Sequence, residues 1–109
     1  MKQKRELRVA RTRRIRAKVF GTADRPRMSV FRSNTGLYVQ LINDDKRVTL
    51  VSSSVAGKTI AAAKQVGTAI AQKAKQRKVT SVVFDRGGYR YHGAIRAIAD
   101  AAREGGLKI

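Results

Sequence analysis

A chain of 109 residues is long enough for one domain with its own core and too short for two. Twenty-five Lys and Arg stand against seven Asp and Glu, a formal charge of +18 that repels itself in a compact state and calls for a polyanionic partner. No apolar run approaches the roughly 18 residues of a membrane span, and no secretory segment follows the basic start. With no Cys for a disulfide or a thiolate metal site, an intracellular, cytoplasmic protein is expected.

The charge is uneven. Residues 1–27 hold eleven basic and two acidic groups while residues 28–109 hold fourteen and five, so a quarter of the chain carries half of the net charge. This divides the chain into a basic N-terminal arm and hinge over residues 1–26 and a globular body over 27–109. Lys2 to Phe20 contains no Pro or Gly and is rich in helix formers, which predicts a helical arm. Its apolar residues collect into no single stripe, so order in the arm is expected to come from a partner rather than from packing. Gly21 to Pro26 reads as the hinge, with Pro26 suited to the entrance of a strand.

The body opens with three short strands, Met28–Arg32, Leu37–Asn43 and Val48–Ser52, joined by polar turns into an antiparallel meander. In the second, Leu37, Val39 and Leu41 alternate with Tyr38, Gln40 and Ile42. From Lys58 to Arg77 the period becomes helical, with Ile60, Ala63, Gly67, Ile70 and Ala74 on one face. Val79–Asp85 reads as a fourth strand, and a second helix runs from about Gly93 to Glu104 before Gly105-Gly106 stops it. A right-handed crossover through the first helix makes strand four parallel to strand three. The fold class predicted is therefore α/β: a small mixed four-stranded sheet of order 3-2-1-4, built β-β-β-α-β-α, with the helices packed on it.

Three constellations could meet a polyanion. The arm carries Arg5, Arg8, Arg11, Arg13, Arg14, Arg16 and Lys18, with Glu6 the one acid among the first 23 residues. Arg dominates, and its planar fork grips phosphate and stacks on bases. The loop Arg86-Gly87-Gly88-Tyr89-Arg90-Tyr91-His92 combines close backbone approach, charge and flat rings, the mixture that recognises unpaired or distorted RNA. Its other reading is a tight strand-to-helix turn whose tyrosines cover the core edge. Arg25, Arg27, Arg32, Ser33 and Asn34 cluster at the hinge and first turn, where they suit phosphate and 2′-hydroxyl contacts or simply make a good turn.

Catalysis has little to work with. Ser52 to Thr59 ends in Gly57-Lys58-Thr59 like a phosphate-binding loop, but Ser52 stands where that motif needs Gly. Asp44 and Asp45 read as turn formers. A single His, His92, without Cys, assembles no Cys–His pair or multi-His metal site. No enzyme, cofactor, metal or small-molecule substrate is expected.

The stretch Val82-Val83-Phe84-Asp85-Arg86-Gly87-Gly88-Tyr89 with Tyr91-His92-Gly93 resembles the signature of the bacterial large-subunit ribosomal protein family numbered eighteen. So do Arg25-Pro26-Arg27, Ser29-Val30-Phe31-Arg32-Ser33-Asn34 and the ending Ala101-Ala102-Arg103-Glu104-Gly105-Gly106-Leu107. The resemblance implies a structural ribosomal protein that binds 5S rRNA and helps attach it to the large-subunit rRNA in the central protuberance, beside neighbouring ribosomal proteins. It implies RNA contacts from the arm arginines, Arg25, Arg27, Arg32, Ser33, Asn34 and the loop Arg86 to His92. One departure is Ala94, where a basic residue is expected after His92-Gly93. The alternatives are a free-standing basic RNA chaperone and, far behind, a small phosphotransferase using the Gly57-Lys58-Thr59 turn.

Deleting residues 1–20 should leave a folded body by circular dichroism and weaken RNA binding. Its salt dependence should become shallower by about 0.7 to 0.9 in slope for each phosphate that the arm no longer neutralises. Global unfolding of the truncated chain would refute the division into arm and body.

Overall fold

Alternation of apolar and polar residues sets the sheet. In the computed structural model, which describes residues 20–86, 89 and 93–109, strands β1 (Arg27–Arg32), β2 (Gly36–Asn43) and β3 (Val48–Ala56) form the expected meander. The predicted arm helix lies outside the described residues. Met28 pairs with Leu41 and Val30 with Val39, so one register puts Met28, Val30, Leu37, Val39 and Leu41 on a single face, each at most 2% exposed. β3 runs four residues past the expected end at Ser52, because Ser52, Ser53 and Ser54 continue the ladder opposite Gln40, Val39 and Tyr38. Serines are not strong strand formers, but they lie in a strand when a long partner strand supplies their hydrogen bonds.

Helix α1 (Ile60–Gln76) is capped by Thr59, whose Oγ1 accepts the Ala62 amide at 3.1 Å. It buries Ala63, Val66, Gly67, Ile70 and Ala74, as the periodicity predicts, whereas Ile60 in its first turn is 55% exposed. The crossover returns to β4 (Val83–Asp85), which lies parallel to β1 with Met28 beside Phe84, and the sheet order is β3-β2-β1-β4. β4 is shorter than the predicted Val79–Asp85. Val79 instead closes α1 through its amide to Ala74 O, and Val82 and Thr80 pair with Lys108 of the C-terminal segment. Val79 and Val82 are core without being strand.

Helix α2 (Ala94–Glu104) runs beside α1 in the same direction: Gly67 meets Ile98 and Ala101, and Gly105 meets Ala71. A Cβ at Gly67 would stand 2.6 Å from the Ile98 carbonyl oxygen, so only glycine allows this approach. Both helices end alike. In α1 the Val79 amide reaches Ala74 O and Lys78 N reaches Lys75 O; in α2 the Leu107 amide reaches Ala102 O and Gly106 N reaches Arg103 O. These are two Schellman motifs, with Gly106 (φ 105°) in the left-handed position of one and Lys78 (φ 60°) in that of the other.

At the start of β1 a charge is buried. Arg27 is 9% exposed and its guanidinium is fully engaged: Nε and Nη2 donate to the Asp44 carboxylate at 2.9 and 3.1 Å, and Nη1 donates to Asp85 at 2.7 Å. Hydrogen bonding to Asp44, opposed by burial and reinforced by Asp85, raises the guanidinium pKa above its ordinary value. Asp44 also accepts the Gly21 amide at 2.7 Å while its own amide donates to Gly21 O, so the supposed hinge is clamped to the body from Gly21 onward. Arg27→Ala should cost about 3 to 5 kcal/mol in urea denaturation, because it removes one cation from a buried pair with Asp85 and Asp44 and three charged hydrogen bonds with it. A loss under 1 kcal/mol would show that this pairing is dispensable.

Candidate nucleic-acid interface

β1 and β4 point the same way, so the residues that follow them meet at one end of the sheet. There Tyr89 is tied to the end of β1. Its hydroxyl accepts the Arg32 amide at 3.3 Å and donates to the Arg32 carbonyl at 3.2 Å, and the Arg32 guanidinium carbon lies 5.5 Å from the centre of the Tyr89 ring. Exposed Arg86 leaves β4 at this same end. Ser33 shapes the β1–β2 turn, its Oγ accepting the amides of Thr35 and Gly36 at 3.2 Å, and Asn34 stands exposed at the tip. This loop end thus gathers Arg32, Ser33, Asn34, Arg86 and Tyr89. Gly87, Gly88, Arg90, Tyr91 and His92 lie outside the described residues, as do Arg5, Arg8, Arg11, Arg13, Arg14, Arg16 and Lys18 of the arm.

The cluster read at the hinge and first turn does not stay together. A strand climbs about 3.3 Å per residue, so Arg25 sits at the far end of β1 from Arg32, roughly 20 Å away. Arg25 is exposed in a bend closed by Thr22, whose Oγ1 accepts its amide at 3.1 Å. Arg27, read from the sequence as an RNA contact, is committed to the interior: its side chain serves Asp44 and Asp85 and offers no fork to a partner. Its carboxylate partners lie 17 and 58 residues away in sequence, beyond the reach of any local pattern.

A second surface escaped the sequence reading. Both helices cover one face of the sheet, and on the other Phe31 and Tyr38 lie opposite each other across β1 and β2, with ring centroids 6.0 Å apart. They are 52% and 41% exposed. Ser29 and Gln40 flank them, and Ser52 and Ser54 extend the surface onto β3 by register. The face is aromatic and rich in hydroxyl and amide groups, with Lys73 reaching it at the β3 edge and the buried Arg27–Asp85 pair beside Ser29 by register. Alternation held the signal: with Met28, Val30, Leu37 and Val39 inward, Phe31 and Tyr38 must point outward.

The phosphate-loop likeness dissolves in the structure, since Ser52 to Ala56 is strand and Thr59 spends its hydroxyl on capping α1. Asp85 is the fully buried partner of Arg27. Among the described residues no group of three His, Cys, Asp or Glu side chains could hold a metal ion.

Such a body, with an exposed aromatic sheet face beside a cationic end, is that of a small basic binding protein. Residues 2–109 match the family model for ribosomal L18 of archaea, bacteria, mitochondria and chloroplasts. Two relatives called large ribosomal subunit protein uL18, from two strains of Lactobacillus delbrueckii subsp. bulgaricus, are each 54% identical to it, over 96% of this chain and 94% of theirs. The chain belongs to the L18 family of ribosomal proteins. It is a structural protein of the large ribosomal subunit and not an enzyme, and its place is the ribosome, a cytoplasmic particle. No helix among the described residues is long and apolar enough to cross a membrane.

Tyr89→Phe removes both hydrogen bonds to the Arg32 backbone. Hydrogen exchange at the Arg32 amide should speed up by about tenfold or less, the size of one modest hydrogen bond, while global stability falls by under about 1.5 kcal/mol. Unchanged exchange would mean that the tyrosine does not hold the loop.

Proposed function

We propose that this chain binds 5S rRNA and helps attach it to the large-subunit rRNA in the central protuberance, among neighbouring ribosomal proteins. The observation that carries the reading is the adjacency of two kinds of chemistry at one end of the sheet. Arg32 and Arg86 supply cations for phosphate, and the Phe31–Tyr38 pair with Ser29 and Gln40 supplies stacking surface and hydrogen-bonding groups for bases and 2′-hydroxyls. Phosphate contacts hold and orient, whereas base and sugar contacts discriminate, and a selective RNA binder needs both. Arg25, Asn34, the loop through His92 and the arm arginines Arg5 to Lys18 complete the proposed RNA-binding set, while Arg27 supports it from within. Ser33 belongs to the set through its turn, which presents Asn34.

The test is binding to 5S rRNA against an unrelated structured RNA of equal length, at physiological salt with competitor present. Wild type should prefer 5S rRNA strongly. Phe31→Ala with Tyr38→Ala should cost roughly ten- to a hundredfold on 5S rRNA, the worth of one stacked base, and less on the unrelated RNA. Arg86→Ala should also fall harder on 5S rRNA. Indiscriminate binding by wild type would instead favour a general RNA chaperone.

A further inference from the structure

The opposite end of the sheet carries a charge that the loop end does not explain. β2 runs away from the loop end, and α1 runs parallel to it, so the β2–β3 turn and the close of α1 share this far end, about 25 Å from the loop by the rise of eight strand residues or seventeen helical ones. From Ile60 to Lys78 there are five Lys or Arg and no acid: Lys64, Lys73, Lys75, Arg77 and Lys78. Four of them fall in the last six residues. α2 differs, because its two arginines are balanced by two acids, and Asp100 lies 3.6 Å from Arg96 and 3.3 Å from Arg103. Lys73 is occupied, its Nζ donating to Ser52 O at 2.7 Å on the outer edge of β3. Lys75, Arg77 and Lys78 have no carboxylate partner among the described residues. Lys75 lies along Gly106 and so reaches toward the C-terminal segment that carries exposed Lys108.

Cations at a helix C-terminus complement its dipole, and that alone would justify one or two of them. It does not justify Lys78. α1 and α2 close with the same motif at the same end of the molecule, and α2 uses Gly106 in the left-handed position while α1 holds a lysine there. The other non-glycine residue with positive φ among the described residues is Arg47 (φ 54°), in the β2–β3 turn at this same end. Twice, a backbone site that glycine fills more easily presents a long cation instead. Asp45 and Glu104 are exposed acids nearby in the fold and leave the end net positive.

We propose that Lys75, Arg77 and Lys78, with Arg47 and Lys108, form a second phosphate-binding surface that takes the backbone of an RNA double helix. It shares the far end of the sheet with Arg25 but none of its residues with the proposed 5S rRNA set, so that one chain can hold two RNA segments at once. The inference rests on the reading above that the loop end and open face hold 5S rRNA. Among the described residues the aromatic ring at this end, exposed Phe20 beside Gly21, stands without a paired ring or a neutral hydrogen-bonding face like that of Phe31 and Tyr38, so this end grips charge and shape rather than reading bases.

The experiment titrates a labelled 20-base-pair RNA duplex into the full chain already bound to 5S rRNA, with Lys78→Gly and the triple variant Lys75→Gln, Arg77→Gln, Lys78→Gly alongside wild type. The wild-type complex should capture the duplex. The triple variant should bind it about tenfold more weakly with a salt slope shallower by about 2 to 3, near 0.9 for each phosphate left without its cation. Its affinity for 5S rRNA should stay within about twofold of wild type, as expected for surfaces that share no residues. Lys78→Gly should raise the melting temperature or leave it unchanged while weakening duplex capture, which separates the surface from any role in folding. Failure of the wild-type complex to bind duplex, equal capture by the triple variant, or a matching loss of 5S rRNA affinity would each overturn the proposal. If wild type fails to prefer 5S rRNA, the earlier reading falls, and the same variants titrated with duplex as free proteins still decide whether this surface binds RNA.

Discussion

The buried guanidinium of Arg27 is the constraint from which the placement of the proposed binding surfaces follows. β4 has three residues and pairs only with β1, too little ladder to hold a strand in place by itself. Arg27 ties the end of β4 to the start of β1 through Asp85, ties the β2–β3 turn to the same point through Asp44, and through Asp44 reaches Gly21. A buried ion pair is not in itself a source of stability, since an apolar cluster of the same shape can do as well. What it supplies is direction: three charged groups with complementary geometry accept one arrangement, and that arrangement sets where β4 releases Arg86 and where the chain before Gly21 joins the body.

Packing of the helices completes the orientation. Gly67, Ala71 and Ala101 let α1 and α2 approach closely and in parallel, which sends both N-termini to the loop end and both C-termini to the far end. Small residues in a helix interior leave little side chain to bury, and glycine weakens the helix itself, so the core is carried by the larger Met28, Leu37, Leu41, Ile70 and Ile98. The two cationic ends and the neutral face between them are consequences of this layout. One face of the sheet is used up by the helices, and the other is left for Phe31 and Tyr38.

Most of the architecture was legible because it rests on local periodicity. The alternation of Leu37, Val39 and Leu41, the helical spacing of Ala63, Gly67 and Ile70, and the handedness of the crossover were together enough to order the sheet. The misreadings share a cause, which is that residue type was taken for role. The third strand was expected to end at Ser52 but continues through Ser53 and Ser54; Val79 and Val82 signalled a strand but pack in the core without a full ladder; Ile60 fits the apolar face but lies exposed in the first turn of α1. Arg27 is the instructive case. In a chain with 25 cations, one that is structural carries no local mark, because its identity is set by Asp44 and Asp85, which only the fold brings near. The bond from the Gly21 amide to Asp44 is hidden for the same reason, since the two are 23 residues apart.

A charge of +18 by itself argues for affinity without choice, because contacts to phosphate are nearly indifferent to sequence and weaken with salt. The structure divides that charge from the groups able to discriminate. Around Phe31 and Tyr38 the surface is mostly neutral, with Lys73 at its β3 edge, so an RNA drawn in by Arg32 and Arg86 would meet rings, hydroxyls and amides that reward a particular arrangement of bases and sugars. Lysines placed on that face would have strengthened binding to every RNA equally and erased the difference between them. Keeping cations at the rim and the ends, and neutral groups in the middle, is how a strongly basic protein remains selective.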